Sequence, residues 1–118
     1  LRVEDFLLLD RAGAFDAYSH TELLDGEIVT MAPQHRPHAW IKSQLFIAVH
    51  EAVKRLAGDL AVIVEGSASL PPHNVPMPDI TVTREPIGEG PIPGHSVALM
   101  IEVAETTLSF DLKHKALI

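Results

Sequence analysis

The chain contains no cysteine. That excludes a disulfide framework and any thiolate metal site, and it agrees with a reducing compartment. Positive charge is also scarce: nine lysines and arginines stand against 16 aspartates and glutamates, a formal net charge of −7. A protein that holds nucleic acid by broad electrostatics presents a basic face, which this balance does not supply. A bound metal ion can still reverse the charge locally. No apolar run approaches membrane-spanning length, and the N-terminus lacks a basic-then-apolar signal pattern. The expectation is a soluble cytoplasmic protein with no membrane partner. Gly-x-Ser-x-Gly is missing too, and with it the nucleophile signature that a small-molecule hydrolase using the histidines as base would need. There is no internal repeat and no low-complexity tract. The chain opens on Leu1 and closes on Ile118 inside a helical pattern, which reads as a fragment incomplete at its C-terminal end.

What is present is 47% hydrophobic residues over 118 positions, enough for one domain, residues 1–118, with its own core. The organising stretch is Ser96 to Glu105, where Val97 to Ile101 form an apolar run, Glu102 interrupts it, and Val103 and Ala104 resume. So short and partly β-branched a run predicts a buried strand. A carboxylate inside it would need a cation, a metal or strong donors to offset its desolvation. A second strand is expected at Pro78 to Thr83, with Ile80 and Val82 on one face and Asp79 on the other; two acids on neighbouring strands can share a divalent ion.

Elsewhere the pattern predicts a short helix from Val3 to Leu9, closing near Gly13. Thr21 to Leu24 and Glu27 to Thr30 should form a hairpin turned by Asp25-Gly26. A long helix is expected from Pro37 to Leu56, with Ile41, Leu45, Ala48, Ala52 and Leu56 on one stripe. Ala61 to Val64 reads as a strand, and Ser67 to Leu70 can pair with it across Gly66. An irregular loop follows from Glu85 to Gly94. Leu108, Leu112 and Ala116 at i, i+4 spacing predict a last helix to Ile118, capped by Thr107 or Ser109. The fold class is α/β or α+β, a sheet with the long helix on one face and the last helix on the other.

Each candidate site residue also has a plainer reading. Asp79 after proline can cap a turn. Glu102 can pair structurally with Lys115 or Arg84, and Lys115 with Asp111 four residues before it on one helix. Glu22 can be a solvent-face hairpin residue. His35 and His38 flank Pro37 without a third ligand and read as two loop histidines rather than a metal pair. Trp40 reads as core or as an interface anchor.

Five segments carry a resemblance: His20-Thr21-Glu22-Leu23-Leu24-Asp25-Gly26-Glu27-Ile28-Val29; His38 at the head of the long helix; Pro78-Asp79-Ile80; Ile101-Glu102-Val103-Ala104-Glu105-Thr106-Thr107-Leu108; and Asp111 to Lys115. In this order they resemble the Uma2 restriction-endonuclease family of the PD-(D/E)XK nuclease superfamily, from about residue 4 to the end. The resemblance implies a restriction-endonuclease-like mixed β-sheet with a helix after the last core strand. It also implies a metal-dependent endonuclease that hydrolyses DNA phosphodiesters. By that resemblance Asp79, Glu102 and the backbone carbonyl of Val103 would hold Mg²⁺, with Mn²⁺ as a substitute, because hard ions take oxygen ligands. Lys115 would be the catalytic cation, since Ala104 stands where the superfamily has its lysine. Glu22 would hold a second metal or a water, and His38 would orient a phosphate or carboxylate. Nucleic acid, DNA in the first instance, is the implied partner, and a homodimer follows the superfamily's habit. The rival from another class is a catalytically inactive nuclease-fold domain acting as a binding module.

Overall fold

The computed structural model describes residues 1–31, 36–56, 58–103 and, as backbone, 112–116. Helix α1 covers Val3–Arg11. Its first turn carries Glu4 and Asp5, its last carries Arg11, and the Arg2 N–H donates to Asp5 Oδ2 at 3.1 Å. Each charge therefore opposes the helix dipole at its own end.

Strands β1 (His20–Leu24) and β2 (Glu27–Met31) form the expected hairpin, with Leu24 opposite Glu27. Asp25 and Gly26 have φ of 50° and 81°, the pair of positive values that a two-residue turn of this hand requires. The hairpin is stitched to residues 73–77. Leu23 and Val75 exchange backbone hydrogen bonds at 3.0 and 2.7 Å, and the Asp25 N–H donates to Asn74 Oδ1 at 2.9 Å. Leu23 is thereby sealed in a cluster with Val3, Phe6 and Val75, against which Leu7 and Phe15 pack.

Helix α2 spans Arg36–Lys54 and packs against β3 (Ala61–Val64) and the long strand β7 (Val97–Val103). Its inward face differs from the expected stripe. Ile41 and Leu45 are half-buried as anticipated, but Ala48, Ala52 and Leu56 are exposed, and the buried residues are His38 and Lys42. The helix has been rotated towards a side that carries charge. Trp40, on the outer face, is 65% exposed and is no part of the core.

The central sheet has the order β3-β5-β7-β8, where β5 is Ile80–Thr83 and β8 is Leu112–Ala116, and every neighbouring pair is antiparallel. A parallel pair lies apart from it, between β4 (Ala68–Ser69) and β6 (Ile92–Pro93). Residues 67–70 thus pair with β6 and not with β3. A single turn of 3₁₀-helix, Gly94–Ser96, leads into β7. Ala68, Val97 and Met100 form a second buried cluster, with Leu70 and Ile92 beside it. The architecture is α+β.

Residues 112–116 were expected within a last helix and run as a strand. A spacing of four between Leu112 and Ala116 is a multiple of two, so it suits a strand as well as a helix. Pairing with β8 also satisfies the outer edge of β7, whose backbone groups would otherwise lack partners. Positions 108–111 and 117–118 of that expected helix, with its proposed caps, lie outside the described residues. Among the described residues no helix is long and apolar enough to cross a membrane.

Candidate active site

The site is built where β3, β5 and β7 end together. The register pairs Val64 with Ile80 and Ile80 with Ile101. Glu65 and Asp79 are the residues just beyond β3 and β5 at this end, and Glu102 follows Ile101 on β7, with Lys113 on β8 opposite it. Two hydrogen bonds tie Asp79 to its neighbours: the Glu65 N–H donates to the Asp79 carbonyl at 3.1 Å, and the Val103 N–H donates to the Asp79 carboxylate at Oδ2, 2.8 Å away.

Asp79 is the buried acid of this row, at 7% exposure. Pro78 before it is fully buried, and the Asp79 carboxylate accepts the Val103 N–H of β7. Its Oδ1 faces α2, with His38 Nε2 at 3.5 Å and Lys42 Nζ at 3.8 Å. Lys42 Nζ also donates to Glu65 Oε2 at 3.0 Å. One buried ammonium thus bridges a buried carboxylate and a half-exposed one. His38 is helical and buried, not a loop residue; His35 lies outside the described residues.

Glu102 is exposed, although Ile101 and Val103 on either side of it are buried. The expectation of a carboxylate inside the core is therefore corrected. The alternation of β7 turns position 102 away from its neighbours' side, and the burial cost falls on Asp79. Lys115, expected on a helix, is on β8 opposite Met100, two positions along from the lysine opposite Glu102. Glu22 is buried on β1, where its Oε1 accepts the Met77 N–H at 2.6 Å and lies 3.7 Å from His20 Nε2. It is thus a clamp on the segment that leads into Asp79, not a solvent-face residue.

Sequence reading missed Lys42 and Glu65. A signal existed for the first: a lysine one turn after His38 inside the apolar face Ile41, Leu45, Val49 is out of place unless it has an acid to meet. Glu65, directly after the apolar strand, was visible only as that strand's end.

Two cavities lie away from this row. One, of about 350 Å³, sits between α1, β3 and β6 and is lined by Phe6, Leu7, Ile63, Val75 and Ile92, with Asp10 and Arg11 at its edge. The other, of about 380 Å³, lies between the end of α2 and Leu60 to Val62. Among the described residues no three histidine or acidic side chains are grouped so as to hold a metal ion by themselves.

Neither a search of curated proteins nor one of solved structures finds a match to the chain. The sequence profile of the Uma2 family, described as "Putative restriction endonuclease", matches residues 3–118. With nearly the whole length covered, including every residue of the acidic row and its helix, the chain belongs to the Uma2 family, a family of nuclease type.

Proposed function

We propose that the chain is a Mg²⁺-dependent endonuclease of the PD-(D/E)XK type that hydrolyses phosphodiester bonds in DNA. The observation that supports the reading is the β5–β7 pairing of Ile80 with Ile101, the residues next to Asp79 and Glu102, together with the bond from the Val103 N–H to Asp79 Oδ2. The donor chemistry fits a hard divalent ion. Asp79 and Glu102 offer carboxylate oxygens and Val103 a backbone carbonyl, and Mg²⁺ is commonly held by one or two carboxylates with waters completing its shell. A site of that kind needs no third acidic or histidine side chain.

When bound, the ion would supply Lewis-acid stabilisation of the phosphate and a more acidic water. The chain's own residues do the rest. Asp79 is held by the Val103 N–H at Oδ2, which fixes the direction of its other oxygen before any ligand arrives. His38, 3.5 Å from Asp79 Oδ1, orients that carboxylate. Glu22 fixes the approach of the chain to Asp79 through Met77 and is placed to order a water. In the overall reaction, water oxygen bonds to phosphorus, the bond to the leaving oxygen breaks, and that oxygen takes a proton. Lys115 enters as the cation the family resemblance suggests, and a homodimer as the assembly.

The reading is tested with supercoiled and linear DNA in Mg²⁺ or Mn²⁺. Nicking or cutting by the intact protein is expected, with loss of at least about 100-fold in Asp79→Asn and Glu102→Gln, the scale on which removing a group that organises transition-state charge is felt. The same ions should raise the unfolding temperature of the intact protein and not of those variants. An intact protein that neither cuts nor responds to either ion would refute the proposal. The alternative is a non-cutting domain of the same fold. A domain that binds nucleic acid without metal-dependent cleavage would be its signature.

A further inference from the structure

We propose that Lys42 is a further cation, beside Lys115, that meets the phosphate in this site, and that Glu65 is the residue that positions it. The inference rests on the nuclease reading above, and adds to it a residue on α2 that neither the acidic row nor the sequence motifs assign.

The geometry around the ammonium is unusual for a structural ion pair. Lys42 is 8% exposed, so its charge has left water, and it sits 3.0 Å from Glu65 Oε2 and 3.8 Å from Asp79 Oδ1. Burying charges to pair them rarely adds stability compared with an apolar residue of similar size. A lysine at such a place, with His38 one turn before it on the buried side of α2, therefore contributes little by packing alone. Exposure is graded across the three groups: the Asp79 side chain is 8% exposed, the Lys42 side chain 10% and the Glu65 side chain 42%. The ammonium thus stands at the boundary between the buried acid and the solvent, reachable from the Glu65 side.

Glu65 is held there by its backbone. Its φ is 52°, a left-handed value uncommon for a residue with a side chain, and its N–H is fixed to the Asp79 carbonyl. Such conformations persist where surrounding structure imposes them, often at working sites. Here the turn carries the carboxylate off the end of β3 and onto Lys42. A phosphate approaching Asp79 and Glu102 meets two anionic groups. A lysine tethered on its open side by a partly solvated glutamate can exchange part of that pairing for a non-bridging phosphate oxygen. No bond to nitrogen forms; the lysine offsets charge that builds on phosphorus-bound oxygen, a role that demands proximity and a fixed positive charge.

The test compares Lys42→Met, Lys42→Arg, Glu65→Gln and Asp79→Asn in metal-dependent DNA cleavage, with thermal unfolding and Mn²⁺ calorimetry on each. Lys42→Met is expected to lower turnover by at least about 100-fold while still binding Mn²⁺ and unfolding cooperatively, at a lower temperature because one partner of a buried pair is gone, and Lys42→Arg to restore a tenth or more of the rate. Glu65→Gln is expected to lower turnover about tenfold with little change in KM. Turnover of Lys42→Met within threefold of the intact protein, with Asp79→Asn inactive, overturns the role of Lys42 and leaves the nuclease reading standing. Cleavage unchanged in Asp79→Asn, or absent from the intact protein, overturns both. Should Lys42→Met fail to fold, Lys42→Gln and Glu65→Gln decide: turnover within threefold of the intact protein in both overturns the proposal.

Discussion

The Glu22 carboxylate accepts the Met77 N–H at 2.6 Å, joining residues 55 positions apart in the chain. The bond ties the β1–β2 hairpin to the segment that delivers Asp79, and the carboxylate is 5% exposed. Removing the acceptor strands a backbone donor in a largely dry place, which costs about 1–3 kcal/mol. Glu22→Ala should therefore lower stability by about 2 kcal/mol, read as a lower urea midpoint at unchanged m-value. Glu22→Gln keeps an acceptor oxygen and should lose less than half as much. Equal loss in the two variants would mean that charge, not the Met77 bond, is what matters here.

Asp79 has two tasks that substitutions separate. Its Oδ2 closes the end of β7 by accepting the Val103 N–H, and its Oδ1 faces Lys42 and His38. Asparagine keeps an oxygen for Val103 but lacks the charge; alanine keeps neither and removes the buried acid that faces Lys42. Asp79→Ala should destabilise by about 3 kcal/mol, in the range for breaking a buried pair, and Asp79→Asn by clearly less. The midpoints of chemical unfolding check this. Similar midpoints for the two would show that the β7 donor finds another partner.

The local parts of this fold could be read from the sequence and the non-local parts could not. Asp25-Gly26 announces its hairpin because the signal is a backbone requirement of those two residues alone. The existence of α2 was equally plain, yet its face was not. Ala48 and Ala52 count as apolar in a periodic pattern while being small enough to leave exposed, and the side that turns inward is chosen by what Lys42 and His38 meet. Those partners, Glu65 and Asp79, come well after the helix in the chain and share no spacing with it. Glu102 misled for a related reason: an apolar run marks a core strand but does not say which residue alternates outwards. Asp79 precedes β5 by one residue and Glu102 lies on β7, and whether they act together is what the cleavage experiment decides.

Gly94 gives a prediction that is independent of function. A Cβ built on it would lie 2.5 Å from the Ser69 carbonyl oxygen and 2.7 Å from Leu70 Cδ2. The first of these is backbone, which cannot swing aside as a side chain can. Gly94→Ala must push β6 away from β4 and should cost about 1–3 kcal/mol, as over-packing does. Gly88 lies in the connection that leads to β6, and a Cβ added there would meet nothing within 4 Å. Gly88→Ala should be neutral or slightly stabilising, because it restricts the unfolded chain at no steric cost. Thermal unfolding of the pair settles the matter; an equally stable Gly94→Ala would mean that β4 and β6 are not held in contact.

Leu23 tests whether the hairpin is part of the folding unit or an appendage to it. Its side chain is 0% exposed among Val3, Phe6 and Val75, while its backbone exchanges two hydrogen bonds with Val75. Leu24, the next residue, is 37% exposed. Leu23→Ala should cost about 2–5 kcal/mol, the range for a buried leucine whose space cannot fully collapse, and Leu24→Ala under about 1 kcal/mol. Because the same cluster anchors α1 and the 73–77 segment, the loss from Leu23→Ala should appear in one cooperative transition. A separate early transition, with the remaining structure melting as before, would show that α1 and the hairpin fold independently of the sheet that carries Asp79. The positioning of that acid through Glu22 and Met77 would then no longer follow from the core.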